Sequence, residues 1–472
     1  MTTTPPAPSS PDADIIVVGC GAAGLFAAIW AKRAAPHLAV IALDGAARLG
    51  AKILVAGGGR CNVTHHAVDE SAYAGSSRNS VKKVLRQFDV PATVAFFRDL
   101  GVELKREETG KLFPTTDDAH SVLNAMLDAA AEAQVGIIHP WRVARIEQHE
   151  GDFVVHREPA AAATEGGDGS APAPSPGARP RNVLALHPLA TRPSLRARRL
   201  ILATGGKSLP KTGSDGAGYQ FARQLGHSIT PTVCPALVPL TLGEHFLRSL
   251  SGVALPATLS IRSATGKVLH TLTNSLLLTH FGLSGPAALD ISRFWTHARG
   301  ADPGARMVVN FLPGARPEDI DRELAGATNG TVLRYLTSRA PDQAQLAPGD
   351  QADPLPERLA RALCEHASCD PTGRPASLPR EARKRLAGAC TELALPITGD
   401  RGYLFAEVTA GGVPLAELRL ETMESRPCPG LHLCGEICDV DGRIGGFNFQ
   451  WAWASGYVAG KGAAALVDAV PA

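Results

Sequence analysis

The stretch "DIIVVGCGAAGLFAAIWA" (residues 14–31) decides how the rest of the chain is read. DIIVVG has the length and unbroken apolar character of a buried parallel strand, and the residues after it continue as an amphipathic helix to about Arg33. Between them lies GxGxxG at Gly19, Gly21 and Gly24. The first glycine permits the tight turn, the second lets a pyrophosphate approach the backbone, and the third lets the helix pack on the strand. A helix N-terminus, with Ala22 and Ala23 in its first turn, then points at the phosphates. A second strand, "LAVIALD", ends on Asp44, about twenty residues past the last glycine and placed for ribose hydroxyls. Strand, turn, helix and acid together specify a dinucleotide site in a βαβ unit.

The same apolar run reads less well as a signal-peptide core or a membrane span. Asp12 and Asp14 precede it, Lys32–Arg33 follow it, and three glycines interrupt it. The leading "MTTTPPAPSSPDA" (1–13) is a polar, proline-rich tail expected to be disordered. With 472 residues and 44% hydrophobic content, two or three domains with real cores are expected. A net charge of +2 without a dense lysine/arginine run argues against nucleic acid as the main partner. Nine cysteines without CxxC pairs or ligand spacing read as reduced thiols in a cytoplasmic protein, with no metal. Cys434 and Cys438 are expected to be packed thiols and not a disulfide.

Further along, helices are expected around 79–100 and 117–135, and short antiparallel strands over 137–158 and 196–206. The Ala/Pro/Gly/Ser-rich 160–181 reads as a flexible surface loop. Residues 230–312 are β-rich, with a hairpin around Thr265–Gly266, and 315–395 read as helices between Pro/Gly/Asp loops. Near the C-terminus, "GLHLCGEICDVDGRIGGFNFQWAWASG" (430–456) offers a second strand–turn–helix. A strand ends at Cys434, Gly435 and Glu436 turn the chain, and Gly445–Gly446 open a long apolar helix. That second helix N-terminus would stabilise negative charge on a reduced flavin, which favours FAD over NAD as the resident cofactor. Trp451 and Trp453 are read as helix core and rim.

Six motifs in order, "GGGRCNVTH", "TGGKSLPKTGSDGAGY", "LLTHFGLSGPAALDIS", "VTAGGVPLAEL", "TMESRPCPGLHLCGE" and "GGFNFQWAWASGYVAG", resemble the HI0933-like (BaiN-type) family of FAD-dependent oxidoreductases. The resemblance spans nearly the whole chain apart from the tail and the 160–181 loop. It implies an α/β fold, a Rossmann-like FAD-binding domain (parallel sheet plus β-meander) with inserted β-barrel-like and helical domains. The expected division is an FAD-binding domain at 14–206 and 397–472, a β-rich substrate domain at 207–314, and a helical insertion at 315–396.

In such a fold Gly57, Gly58 and Gly59 let backbone lie flat against the cofactor, while Arg60 and Asn62 point donors at the flavin edge or the substrate, Arg60 being a catalytic candidate as well. Cys61 is a candidate redox thiol, provided Arg60 lowers its pKa. Ala203, Thr204 and Gly205 correspond to the turn that brings the chain back to the cofactor. Lys52, Val143, Asn448, Phe449 and Gln450 complete the expected cofactor-binding set, with Glu436 near the ribityl or phosphate region. Two departures stand out. Ala217 occupies the place of an expected acid, with Asp215 two residues earlier, and Asp44 stands where a longer glutamate is usual.

For proton transfer the candidates are His280, in "THFGLSGP", and more weakly His65. The activity implied is FAD-dependent hydride transfer through flavin N5, to or from a small organic substrate. It would be an ene or keto reduction or an amine-type oxidation. Without a second GxGxxG, NAD(P)H could serve only as a transient donor. A tRNA-modifying flavoprotein and a flavin-binding sensor without turnover are the alternatives. Oligomeric state and substrate identity are left open.

Overall fold

The computed structural model describes residues 10–159 and 187–468. Residues 1–9 of the expected tail, and the whole 160–181 loop, lie outside the described residues. Five parallel strands form the central sheet, in the order Leu431–Leu433, Ser194–Leu202, Ala13–Val18, Val40–Leu43, Gly136–Ile138. The last of these corrects the expectation of antiparallel strands from 137 onward. Ile137 and Ile138 are both buried, so this segment extends the parallel sheet. Only Val143–His149 and Asp152–Arg157 form the antiparallel hairpin. Ser194–Leu202 serves both arrangements: its first half pairs antiparallel with Asp152–Arg157, its second half parallel with Ala13–Val18.

The helix Ala22–Ala34 is buried nearly all round and not amphipathic, because the sheet covers one side and the C-terminal helix Phe447–Asp468 the other. Small residues permit that approach. A Cβ on Gly460 would come 2.2 Å from the Ala27 carbonyl oxygen, and one on Gly456 would come 2.7 Å from that of Ala23. Lys32, buried on the same helix, donates to the carbonyls of Pro36 (2.6 Å) and Leu38 (3.0 Å).

The insertion is a seven-stranded antiparallel sheet, ordered Leu393–Leu395, Arg306–Asn310, Ala254–Arg262, Val268–Thr279, Gly282–Ser284, Leu240–Leu242, Ile397–Asp400. Its two outermost strands are joined by Pro396 alone, so the sheet must curl until its edges meet. The turn at Gly266 (φ +88°) closes the expected hairpin. The β-rich and helical segments share one core rather than forming two units. Leu259, Ile261 and Met307 of the sheet join one apolar cluster with Ile320, Leu363 and Leu386 of the helices. The boundaries differ in two places. Ile397–Asp400 pairs within the inserted sheet, and Tyr219, Phe221 and Leu225, placed by sequence in the β-rich unit, belong to the core of the cofactor domain. The chain enters the insertion along Cys234–Ala236 and leaves along Val408–Ala410, and these two segments pair antiparallel.

Candidate functional site

One continuous cavity, of about 550 Å³, runs from Asp44 and Arg142 at one end to Lys111, Leu237 and Glu407 at the other. At the first end, geometry explains each glycine of GxGxxG. A Cβ on Gly19 (φ +102°) would sit 2.4 Å from the Ala203 carbonyl oxygen, and one on Gly24 only 1.8 Å from that of Gly19. A Cβ on Gly21 would meet nothing within 4 Å, so here the backbone borders open space. Gly19, Gly21, Ala22 and Ala23 line the cavity, whereas Gly24 does not. Its role is helix–strand packing alone. The helix start carries no side-chain cap and no acid in its first turn, which leaves its N–H groups for an anion. Asp44 lines the cavity too, its oxygens accepting from the backbone N–H of Cys20 and of Ala46, each at 2.7 Å. Val143, Ala203, Thr204 and Gly205 complete this end, where Arg142 pairs with Asp215.

In the middle, Lys52 Nζ donates to Glu436 Oε2 (2.8 Å) and Ser208 Oγ (2.9 Å). Glu436 Oε1 accepts from Ser208 Oγ (2.8 Å) and from Thr409 N–H (2.9 Å). The pair thus joins the short helix Ala51–Val55, after the second strand, to the Gly435–Glu436 turn. Gly57 and Gly58 (φ +58° and +70°) line the cavity, and a side chain on Gly58 would project into open space. Gly445, Gly446, Asn448 and Phe449 bring the second helix start to the same wall. Asn62 is there as well; with its amide oriented to suit its neighbours it accepts from Gly446 N–H (3.0 Å) and donates to the Thr64 carbonyl (2.9 Å).

Several expected residues are placed elsewhere. Gly59 does not line the cavity. Gln450 is buried, accepting from the hydroxyls of Thr64 (2.7 Å) and Thr93 (2.9 Å), so it anchors its helix and not the cofactor. Arg60 borders the cavity, but its guanidinium is held by Glu107 (2.7 Å) and stacked 3.9 Å over the Phe113 ring. This removes it as a free catalytic cation. Cys61 is fully buried, and desolvation pushes its thiol up to about 12, the opposite of a redox thiolate. His280 sits exposed on the turn after Val268–Thr279, beside Phe281, and does not line the cavity. His65 is buried against Phe447, its ring nitrogens 2.9 and 3.0 Å from the carbonyls of Ala67 and Thr109. Burial lowers its pKa. Cys434 and Cys438 are free and buried, and no group of metal-ligating side chains occurs among the described residues.

Sequence reasoning missed Lys111, Phe113, Leu237, Glu407 and Ile444, which form the far end of the cavity. Only Glu407 carried a signal, a lone acid directly before the VTAGG motif.

The family profile of the HI0933-like protein Rossmann domain matches residues 13–167 and 178–462. The chain belongs to the HI0933-like family. Within this family, a 3-dehydro-bile acid delta(4,6)-reductase of Clostridium scindens is 32% identical over 95% of this chain and 98% of its own length. Ribosomal RNA dihydrouridine synthases of Escherichia coli and Haemophilus influenzae are each 30% identical over 94% of this chain and 96% of theirs. This HI0933-like chain is an FAD-dependent oxidoreductase, and the cavity fits FAD on its own geometry. It has one uncapped helix start and a second helix start on the same wall, bare backbone at Gly21 and Gly58, and an acid at the end of the second strand. No helix among the described residues is long and apolar enough to cross a membrane.

Proposed function

We propose that this protein reduces a carbon–carbon double bond conjugated to a carbonyl, in an apolar ring ketone of steroid type, with NAD(P)H as the electron source. The observation that carries this reading is the far end of the cavity. There the apolar residues Phe113, Leu237, Val408 and Ile444 line the cavity together with the charged Lys111 and Glu407, and Arg60 lies over the Phe113 ring. Such a pocket suits a flat apolar skeleton with one polar group at its tip. The relatives' names support the bond class. A delta(4,6)-reductase of a 3-dehydro bile acid and a dihydrouridine synthase both saturate a double bond conjugated to a carbonyl, on otherwise dissimilar molecules.

Bound FAD would supply the hydride for the carbon β to the carbonyl. The chain's own part is placement. The Ala22–Ala34 and Phe447–Asp468 helix starts hold negative charge at the pyrophosphate and at the reduced ring. Lys111 would face the substrate carbonyl and stabilise the charge that develops on its oxygen.

The test is product analysis after anaerobic incubation of the FAD-loaded protein with NADPH or NADH and a conjugated ring ketone. Saturated ketone is expected; recovery of unchanged substrate with both nucleotides sinks the reading. A second reading, in which the reduced bond belongs to a uridine in RNA, is favoured by the names of the two synthases. Retention of ribosomal RNA on a filter, weakening steeply between two salt concentrations, would support it. Oxidation of an amine would be the better description if an amine bleached the flavin where neither nucleotide did.

A further inference from the structure

The geometry points to Glu407 as the proton donor of this site, delivering a proton to the carbon α to the substrate carbonyl. The inference rests on the conjugated-ketone reading and adds a residue that no motif assigns. Glu407 directly precedes Val408–Ala410, the segment that leaves the insertion, and its N–H donates to the Leu237 carbonyl (3.2 Å) on the segment that enters it. Ser208 Oγ lies 3.3 Å from the Glu407 carbonyl oxygen and 2.8 Å from Glu436 Oε1. The residue is thus fixed where both units and the Lys52–Glu436 network meet, on ladder-paired backbone and not on a free loop.

Its carboxylate is the unusual part. It opens onto the cavity, and among the described residues no hydrogen bond or ion pair engages it. The other acids that line this cavity are engaged: Glu436 pairs with Lys52, Asp215 with Arg142, and Asp44 accepts from two backbone N–H groups. Glu407 is exposed to the open cavity, and the protein packed about it still raises its pKa by desolvation. Asp290, on the helix Gly285–Ala301, raises it further, while Lys111 opposes both. A carboxyl held above its ordinary range retains a proton nearer neutrality, as a general acid requires.

Reduced FAD, when bound, would supply two electrons and a hydrogen as hydride to the β carbon; the O–H bond of Glu407 breaks as a C–H bond forms at the α carbon, leaving a carboxylate. Solvent reprotonates the carboxylate, and a reduced nicotinamide restores the flavin.

Three measurements test it together: FAD content, the pH profile of ketone reduction, and a carboxyl-13C glutamate NMR titration of the FAD-bound protein. Wild type is expected to show one glutamate resonance titrating above the ordinary range, and a rate that falls as pH rises through that same value. Glu407→Gln should keep its FAD, lose that resonance and that pH limb, and slow ketone reduction about 100-fold or more. Glu407→Asp should keep a pH limb at reduced rate. A Glu407→Gln variant that holds FAD and reduces ketone at the wild-type rate with the same profile overturns the assignment. So does a resonance that persists in it. Should wild type reduce no conjugated ketone, the parent reading fails and the donor assignment falls with it.

Discussion

The two ends of the cavity are built by different means. At the Asp44 end, backbone does the binding: Gly19 and Gly24 exist because a Cβ would strike another carbonyl, and Gly21 because backbone must border open space. At the Lys111 end, side chains do the work, contributed from positions as far apart in sequence as 111, 237, 407 and 444. A backbone-built end tolerates no substitution but needs only a contiguous motif. A side-chain-built end can be retuned by single changes, which suits relatives that share a cofactor and differ in substrate.

The harshest way to break the first end is Gly24→Val. Its Cβ would overlap the Gly19 carbonyl, so a loss of about 3 kcal/mol or more is expected, together with loss of FAD. Urea unfolding and the flavin-to-protein absorbance ratio report both effects. Lys52→Met is milder. It leaves Glu436 with hydrogen bonds alone, and because both groups are partly exposed the expected cost is about tenfold in FAD affinity, read by fluorescence titration of the apoprotein.

At the second end, Lys111→Met should move the pH limb without abolishing turnover. Lys111 lowers the Glu407 pKa, so removing it raises that pKa and the remaining rate persists to higher pH, while kcat falls because the carbonyl oxygen loses its cation. An unmoved limb would separate the two groups. The smallest effect belongs to His280→Ala. An exposed turn residue off the cavity should leave kcat and KM within about twofold, consistent with surface substitutions of ~0.5 kcal/mol.

The same contrast explains what was legible in the sequence. GxGxxG, the Asp44 acid, the glycine run at 57–59 and the second strand–turn–helix at 430–456 are local patterns whose backbone demands show in the residue types. Lys111 and Glu407 look like any surface charge until the strands crossing between the two units bring them together. His280 misled for a related reason, since its neighbouring glycines suggested a ligand loop. In the fold they serve strand packing, for a Cβ on Gly282 would come 2.3 Å from the Leu240 carbonyl oxygen. Cys61 drew attention through Arg60, whose charge is spent on Glu107 while the thiol is buried. The first helix was misread as amphipathic because its second cover, Phe447–Asp468, arrives from the far end of the chain.

The most direct measurement is a crystal structure of the protein with FAD and a conjugated ring ketone bound. Adenosine is expected beside Asp44 and the isoalloxazine against Gly445–Gly446, with the ketone's α carbon within reach of the Glu407 carboxyl and its oxygen toward Lys111. An isoalloxazine lying at the Asp44 end, or a ketone held away from Glu407 with another acid over its α carbon, would contradict this arrangement.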